Sequence, residues 1–247
     1  MRNRFLSGAL ACALLAGGAG AAFAVPASET TLDFQVKPGA TKAGTKKKPK
    51  NATVMLAIKG GIEEGAEGQP ATSKGLNISL PATWKINSER WPKKARCDIA
   101  EVNRDKDTSS CPKGSQVGKG QTIAQGANGA ITRTLIVTAF VIENGDLGFF
   151  IKNKAGESPA INEMIQGVVK GSKINVKIPT TIQEPIEGVP TGIQLLEFKL
   201  SATAKIKGRK TAIVQTTGCK KGKWKFGLTN VYRDGKKSDS DTVNCKA

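Results

Sequence analysis

The chain contains no histidine among its 247 residues. This absence excludes Ser-His-Asp and Cys-His catalytic arrangements, and it excludes every zinc or iron site that relies on imidazole ligands. Aromatic residues are scarce, with three Trp, one Tyr and eight Phe, and no aromatic motif of the RNA-binding type is present. Close Cys-x2-Cys pairs are also missing. The composition therefore predicts no metal and no other cofactor, and it disfavours sequence-specific recognition of nucleic acid.

A nucleotide-binding glycine motif is also missing. The stretch CPKGSQVGKG (111–120) contains Gly118-x-Gly120, but Ile123 stands where a dinucleotide fingerprint needs a third glycine. The Gly-Lys pair does not lead into Ser or Thr, as a P-loop requires. We interpret Pro112–Gly114 as a turn after a disulfide. The two later glycines are interpreted as sites of a bulge or of close backbone approach in a strand over 116–124.

The first 24 residues predict a secretory signal peptide. Two arginines precede a largely apolar run, and the run ends in a small-x-small pattern at Ala22–Ala24. Three glycines interrupt the run, which makes a retained membrane-spanning helix the less favoured alternative. Lipidation at Cys12 is a further alternative, disfavoured by the short apolar segment before it. Residues 25–247 then form a single secreted domain.

Four cysteines remain after the signal peptide, and we expect them to form two disulfides. An even number of cysteines in an exported protein is typical of a disulfide framework. Three pairings are possible, and pairing of sequence neighbours predicts Cys97–Cys111 and Cys219–Cys245. The loop-entropy relation gives each bond roughly 3 to 3.5 kcal/mol of stabilisation.

Alternation of apolar and polar residues predicts an all-β fold. The clearest case is 196–207, where Leu196, Phe198 and Leu200 share one face with the later apolar residues. The segments that read as strands are 29–36, 52–60, 75–81, 116–124, 172–179 and 196–207. Turn signals at 144–146 and 233–235 predict two hairpins. We predict an antiparallel β-sandwich, jelly-roll or immunoglobulin-like, of ten to thirteen strands, without a helix longer than two turns.

Positive charge dominates the surface chemistry. The formal net charge is +18, and lysine supplies most of it, with 30 Lys against 8 Arg. The densest cluster is a predicted loop or mobile arm over 42–50. Its lysines are Lys42, Lys46, Lys47, Lys48 and Lys50. Lysines at sheet edges block edge-to-edge pairing, and a lysine cluster also attracts polyanions, so both interpretations stay open.

Tryptophans and acidic residues are the remaining candidates for a site. Trp84, Trp91 and Trp224 are candidates for stacking on sugar rings, or else they belong to the core. Paired carboxylates are the candidates for glycoside hydrolysis, although their segments resemble solvated loops. These carboxylates are Glu63, Glu64, Glu67, Glu101, Asp105, Asp107, Asp239 and Asp241.

Five segments together resemble a group of secreted, β-rich actinobacterial proteins. They are the Lys/Pro-rich AGTKKKPK (43–50), LPATW (80–84), Cys97, CPKGSQVGKG (111–120) and the tail from Thr216 to Cys245. The tail carries a C…GKWKF…Y.DG…C pattern. The resemblance covers most of the mature chain. It implies a β-rich fold and a location outside the cytoplasm, and it implies no catalytic residue.

These observations favour a structural or binding protein. We expect it to be secreted or associated with the cell envelope, and to be non-enzymatic, with lysine-rich loops that engage an anionic cell-wall polymer or another polyanion. The alternative is a carbohydrate-active enzyme or a lectin-like module that uses acidic loops and tryptophan platforms.

Overall fold

The computed structural model describes residues 24–153 and 156–247. The signal peptide predicted over residues 1–24 lies outside the described residues, apart from Ala24. The strands are β1 (Thr30–Pro38), β2 (Lys50–Ala52), β3 (Val54–Ile62), β4 (Ser73–Ser79), β5 (Trp84–Ile86), β6 (Gln116–Gly126), β7 (Ile131–Val141), β8 (Leu147–Lys152), β9 (Asn162–Lys170), β10 (Lys173–Lys177), β11 (Thr191–Leu200), β12 (Thr203–Ile206), β13 (Arg209–Ala212), β14 (Val214–Thr216), β15 (Lys223–Tyr232) and β16 (Lys236–Asn244).

Helices are short in the described part of the chain. The α-helices are α1 (Ile99–Asp105) and α2 (Thr180–Gln183), and single 3-10 turns cover Ala27–Glu29, Ser88–Arg90, Lys93–Ala95 and Ala127–Gly129. Helix α1 begins after Asp98, whose Oδ1 accepts hydrogen bonds from the N–H groups of Ala100 and Glu101. Among the described residues, no helix is both long enough and apolar enough to cross a membrane.

The predicted all-β, antiparallel architecture with two disulfides is confirmed. Eleven strands form one sheet in the order β1-β3-β11-β6-β7-β8-β9-β10-β4-β15-β16. Two small sheets, β12-β13 and β2-β14-β5, lie beside it. The layers that face each other are parts of this one continuous sheet. Phe149 of β8 and Phe198 of β11 are three strands apart in the order, yet their ring centroids lie 5.5 Å apart across the core.

The number of strands determines how the sheet can close. Every neighbouring pair in the eleven-stranded sheet is antiparallel. With an odd number of alternating strands, the two edge strands β1 and β16 point in the same direction. They also meet, because Lys42, just beyond β1, forms a parallel bridge with Lys246, just beyond β16. Closing the sheet therefore requires a parallel junction between edge strands of a sheet whose ladders are otherwise antiparallel.

Carboxylates of β16 form this junction, which we call the seam. Asp239 Oδ2 accepts a hydrogen bond from the N–H of Phe34 at 2.8 Å, and Asp241 Oδ2 accepts one from the N–H of Val36 at 2.7 Å. The two acids are two residues apart, as are their partners, so each pair shares one face of its strand. The carboxylates satisfy edge N–H groups that would otherwise lack a ladder partner.

The connections between strands divide the molecule into two ends. In an antiparallel sheet, successive connections alternate between the two ends of the strands. One end, which we call the lysine-rich end, carries the connections 39–53, 80–115, 142–146, 171–172 and 201–222. The opposite end, which we call the α2 end, carries 63–72, 127–130, the described part of 153–161, 178–190 and 233–235. Both disulfides lie at the lysine-rich end.

Both predicted hairpins are confirmed, whereas the longest predicted strand is interrupted. The turn at 144–146 joins β7 to β8, and the turn at 233–235 joins β15 to β16. The segment 196–207 does not form one strand. Strand β11 ends at Leu200, and the N–H groups of Ser201 and Ala202 both donate to the carbonyl of Val117. The chain then leaves the main sheet and pairs β12 with β13.

The glycines of CPKGSQVGKG allow close approach of the backbone, as predicted. The register of β6 against β7 shifts between Gln116 and Gly118, which places a bulge there. A Cβ atom on Gly120 would lie 2.0 Å from the carbonyl oxygen of Glu197 in β11. Only glycine fits at this position, so the motif has a structural role.

Candidate functional site: a lysine-rich surface

The lysine-rich segment 42–50 has a defined backbone. The N–H of Ala43 donates to the carbonyl of Lys246 at 2.7 Å, and the N–H of Lys246 donates to the carbonyl of Thr41 at 2.8 Å. Thr45 and Lys48 close a turn, with the N–H of Thr45 donating to the carbonyl of Lys48 at 3.0 Å. The segment is therefore a loop held against the C-terminal residues. Of the two predictions for this segment, a loop or a mobile arm, the structure supports the loop.

Gly44 fixes how closely this loop packs on the small sheet. Its N–H donates to Thr216 Oγ1 at 3.1 Å. A Cβ atom on Gly44 would lie 2.3 Å from the nitrogen of Lys50 and 2.7 Å from the carbonyl oxygen of Thr216. The backbone contact presses the loop onto β14 and leaves its long side chains to point into solvent.

The five loop lysines are exposed and carry uncompensated charge. Lys42, Lys46, Lys47, Lys48 and Lys50 are all exposed. Within residues 24–153 and 156–247, none of them forms an ion pair. Lys237 is the lysine that forms an ion pair in this part of the chain, and its Nζ lies 3.1 Å from Glu63 Oε1. The loop is thus available to an external anion without first breaking an internal pair.

The β12-β13 hairpin adds a second basic element that the composition did not reveal. Its exposed cations are Lys205, Lys207, Arg209 and Lys210. The hairpin contacts strand β2, which directly follows the lysine-rich loop, through Asn51, whose Nδ2 donates to the carbonyl of Lys210 at 3.2 Å. Asn51 Oδ1 also accepts from the N–H of Ala212 at 3.0 Å.

A sequence signal for this hairpin did exist. Lys207 and Gly208 both have positive φ, 48° and 78°, as a two-residue hairpin turn of the primed type requires. The dipeptide Lys-Gly is a weaker turn signal than Asn-Gly or Asp-Gly. Apolar and polar residues also alternate without a break on both sides of Ser201, so the segment was predicted as one strand.

Net charge differs between the two ends of the sheet, although connections 80–115 and 142–146 of the lysine-rich end also contain seven acids. At the lysine-rich end, 39–53 contains five lysines and 201–222 contains six Lys or Arg, and neither connection contains an acid. At the α2 end, 63–72 and 178–190 together contain five glutamates and no Lys or Arg. An anionic polymer is therefore attracted to the first end and repelled from these two connections of the second.

The three tryptophans are core residues, which corrects their candidacy for sugar stacking. Trp84, Trp91 and Trp224 are 3%, 1% and 1% exposed. Trp84 and Trp224 pack edge to face with ring centroids 5.0 Å apart. The indole N–H of Trp91 donates to the carbonyl of Gly114 at 2.8 Å. Rings covered to this degree have no free face on which a sugar could stack.

The acids proposed for glycoside hydrolysis lie in separate places. Asp239 and Asp241 are strand residues rather than solvated loop residues, and they form the seam. Glu101 and Asp105 flank Arg104, with Asp105 Oδ1 at 2.8 Å from Arg104 Nε. Glu63 pairs with Lys237 at the α2 end. Glu64 and Glu67 lie in the same connection as Glu63, at 63–72.

The hydrogen bonds around Asp107 are unfavourable for a role of this residue as a general acid. Its Oδ1 accepts hydrogen bonds from both the hydroxyl and the N–H of Ser109, at 2.7 and 2.8 Å. These bonds hold the pKa of the Asp107 carboxyl below its usual value. A general acid in glycoside hydrolysis needs the opposite shift. The geometry of the acids and tryptophans therefore gives the carbohydrate-active alternative no support.

Within the described residues, no group of three or more Cys, Asp or Glu side chains is close enough to hold a metal ion. No protein-family model, no curated protein and no solved structure matches the chain.

Proposed function

We propose that this is a secreted or envelope-associated, non-enzymatic binding protein that holds an anionic polymer at its lysine-rich end. The observation that carries this proposal is the cluster of exposed, unpaired loop lysines, Lys42 to Lys50, beside the basic β12-β13 hairpin. The main sheet places both elements at the same end of the molecule.

The choice of lysine indicates what kind of recognition to expect. An ammonium group is a compact, strongly hydrated point charge, whereas the guanidinium fork of arginine matches phosphate or carboxylate geometry. A lysine cluster therefore responds to charge density more than to the shape of one anionic group. Binding is driven largely by release of counterions from the polymer, so affinity falls steeply with ionic strength.

The disulfides support a location in an oxidising compartment. Cys97–Cys111 and Cys219–Cys245 are both formed, and such bonds persist mainly in secreted and envelope proteins. Together with the predicted signal peptide, they favour a protein that meets its partner outside the cytoplasm. An anionic cell-wall polymer is then the partner that this surface fits best.

The test uses point substitutions because deletion of the loop would damage the fold at Ala43 and Gly44. In the loop variant, Lys42, Lys46, Lys47, Lys48 and Lys50 are all changed to Gln. The control variant changes five exposed lysines on the outer side of the main sheet to Gln, which removes the same charge. These control residues are Lys59, Lys119, Lys152, Lys177 and Lys225.

Binding to purified cell wall and to heparin is measured over a salt series. We expect the loop variant to bind at least about tenfold more weakly at low salt. We also expect its salt dependence to be shallower by roughly one unit of log K against log salt for each anionic group that the variant no longer neutralises. Equal weakening of the two variants would show that net charge alone is responsible. Binding that ignores ionic strength would overturn the proposal.

A further inference from the structure

A cavity lies inside the closed sheet, at the α2 end. Its volume is about 130 Å³, and its walls come from strands β3, β4 and β6 to β11 together with α2 and the segment that follows it. The walls are almost wholly apolar, with Leu135, Val137, Phe149 and Phe198 among the side chains that form them. The cavity is thus an internal feature of the main sheet and lies away from the lysine-rich loop.

Such a space is unusual in a folded core. Protein interiors are packed like organic crystals, and voids larger than a water molecule are few. A cavity lined by aliphatic and aromatic side chains holds no ordered water, because water finds too few hydrogen-bond partners there. An engineered cavity of about 150 Å³ in another protein stays dry and binds benzene. The chemistry of this wall therefore selects an apolar group of similar size.

The segment after β10 covers the mouth of the cavity. Ile182, Pro185, Ile186 and Val189 contribute to the lining, and Ile186 is 36% exposed. Hydrogen bonds hold the segment at its two ends. Gln183 Nε2 donates to the carbonyl of Ile178 at 2.7 Å, and Gln69 Nε2 donates to the carbonyl of Pro190 at 2.5 Å.

A single cation stands at this mouth. Of the described residues that line the cavity, only Arg133 is charged. Its side chain is 28% exposed, its Nη1 lies 3.7 Å from Glu157 Oε2, and its Nη2 donates to the carbonyl of Ser158. A guanidinium carries five N–H donors, so these two partners leave donors free. The mouth thus offers free guanidinium N–H donors, beside the Glu157 carboxylate, at the edge of an apolar interior.

We propose that the cavity binds one hydrocarbon chain of an amphipathic carboxylate, with the chain among the apolar walls and the carboxylate at Arg133. This site is separate from the lysine-rich surface and does not depend on the proposed function. It gives the protein a small-molecule ligand in addition to a polymeric one.

Saturated fatty acids from hexanoate to dodecanoate, below their micelle concentrations, are the probes. Calorimetry with the mature protein is expected to show one site, with affinity rising roughly fourfold per added methylene until the cavity is full. The rise should then level off. Absence of saturable binding, or binding only to anionic phospholipid vesicles, would overturn the proposal and leave the cavity as a packing gap.

Matched variants locate the site. Ala124 lines the cavity and lies opposite Arg133 in the register of β6 and β7, so Ala124→Ile is expected to weaken binding at least tenfold. Gln121→Ile, on the same strand and exposed, is the control and should change affinity by less than about twofold.

Arg133→Gln tests the carboxylate contact. It should weaken the binding of carboxylates about tenfold and leave the binding of the matching primary alcohols nearly unchanged. Equal effects of Ala124→Ile and Gln121→Ile would contradict the assignment.

A measurement on the unmutated protein guards against variants that fail to fold. Methyl NMR signals of Ile151, Ile165 and Ile178, which line the cavity, are expected to shift with added decanoate. The methyl signals of Ile136, which is 40% exposed and does not line the cavity, should stay in place. Shifts confined to Ile136 or absent from all four residues would refute internal binding.

Discussion

The two ends of the sheet carry different chemistry on the same scaffold. The lysine-rich end holds long connections, both disulfides and clustered cations, whereas the α2 end holds shorter connections, glutamates and the mouth of an apolar cavity. Because the strands alternate in direction, every second connection lies at the same end, and so do the side chains that these connections carry. The contrast teaches that antiparallel order turns the placement of lysines and glutamates in particular connections into a charge difference between the two ends.

The same contrast explains where the covalent bonds lie. Clustered lysines repel one another, and connections 80–115 and 201–222 at that end are long, so a disulfide there restricts the unfolded chain strongly. Cys219–Cys245 closes a separation of 26 residues, and Cys97–Cys111 closes one of 14. The α2 end is held by non-covalent contacts in its described residues. The two ends should therefore respond differently to reduction.

Removal of the Cys219–Cys245 bond is expected to have the largest effect. Changing both residues to Ser should lower the free energy of unfolding by about 3.5 kcal/mol, since the bond no longer restricts the unfolded chain. Urea unfolding of the variant and of the parent protein measures this loss.

Hydrogen exchange shows which end loosens. We expect faster exchange over 39–53 and 219–246, because Lys246 is the hydrogen-bond partner of the lysine-rich loop. Exchange over 178–190 should change little. Uniform acceleration at both ends would mean that the ends are not independent, and the comparison would fail.

The seam joins the two edge strands β1 and β16, and loss of its carboxylates should have the second-largest effect. Asp241→Ala removes the acceptor for the N–H of Val36, and we expect stability to fall by about 1.5 to 3 kcal/mol. Asp239→Ala removes the acceptor for the N–H of Phe34, and we expect it to lower stability by a similar amount. The measurement is again urea unfolding, and Ser240→Ala is the matched control because Ser240 lies between the two acids and is exposed.

The control should change stability by no more than about 0.5 kcal/mol. If Asp241→Ala also leaves the free energy of unfolding unchanged, water replaces the carboxylate as acceptor for Val36, and the seam does not contribute to stability. A double variant that is destabilised by more than the sum of the two single variants would show that the two acids act together.

Much of the fold was readable from the sequence because strand alternation is a local property. The period of two located most strands, and the even number of cysteines, paired as sequence neighbours, led to the correct disulfides. The seam was not readable, because it depends on strand order and on an odd number of strands. Asp239 and Asp241 consequently looked like loop acids, although alternation with Ser238 and Ser240 is also a strand pattern.

The candidate site was predictable in part for the same reason. The lysine loop is visible as composition, whereas its neighbour β12-β13 is hidden by alternation that continues past Ser201. The cavity was not predictable at all. Inward-facing residues such as Leu135 and Phe149 can be named from the pattern, but the volume left between them depends on how far apart the facing strands lie.

Tyr232 provides the smallest and most local test, since it reports on the α2 end. It is the last residue of β15, it is buried, and it packs with Ala27 and Ala71 beside the turn at 233–235. Burial raises the pKa of the Tyr232 hydroxyl to about 12, although the neighbouring Asn230 side chain acts in the opposite direction. It is the single tyrosine in the chain, so phenolate absorbance at 295 nm reports on this residue alone.

We expect a native titration midpoint near pH 12 and a midpoint near 10 in concentrated urea. Because the folded pKa exceeds the unfolded one, the folded state keeps its proton longer. The contribution of Tyr232 to stability is therefore complete below pH 10 and is lost as pH rises towards 12. Tyr232→Phe should remove this loss between pH 10 and 12 while keeping the ring in place. A native midpoint near 10 would show that water reaches this side chain, and the small cluster of Tyr232, Ala27 and Ala71 at the α2 end would then not be a dry one.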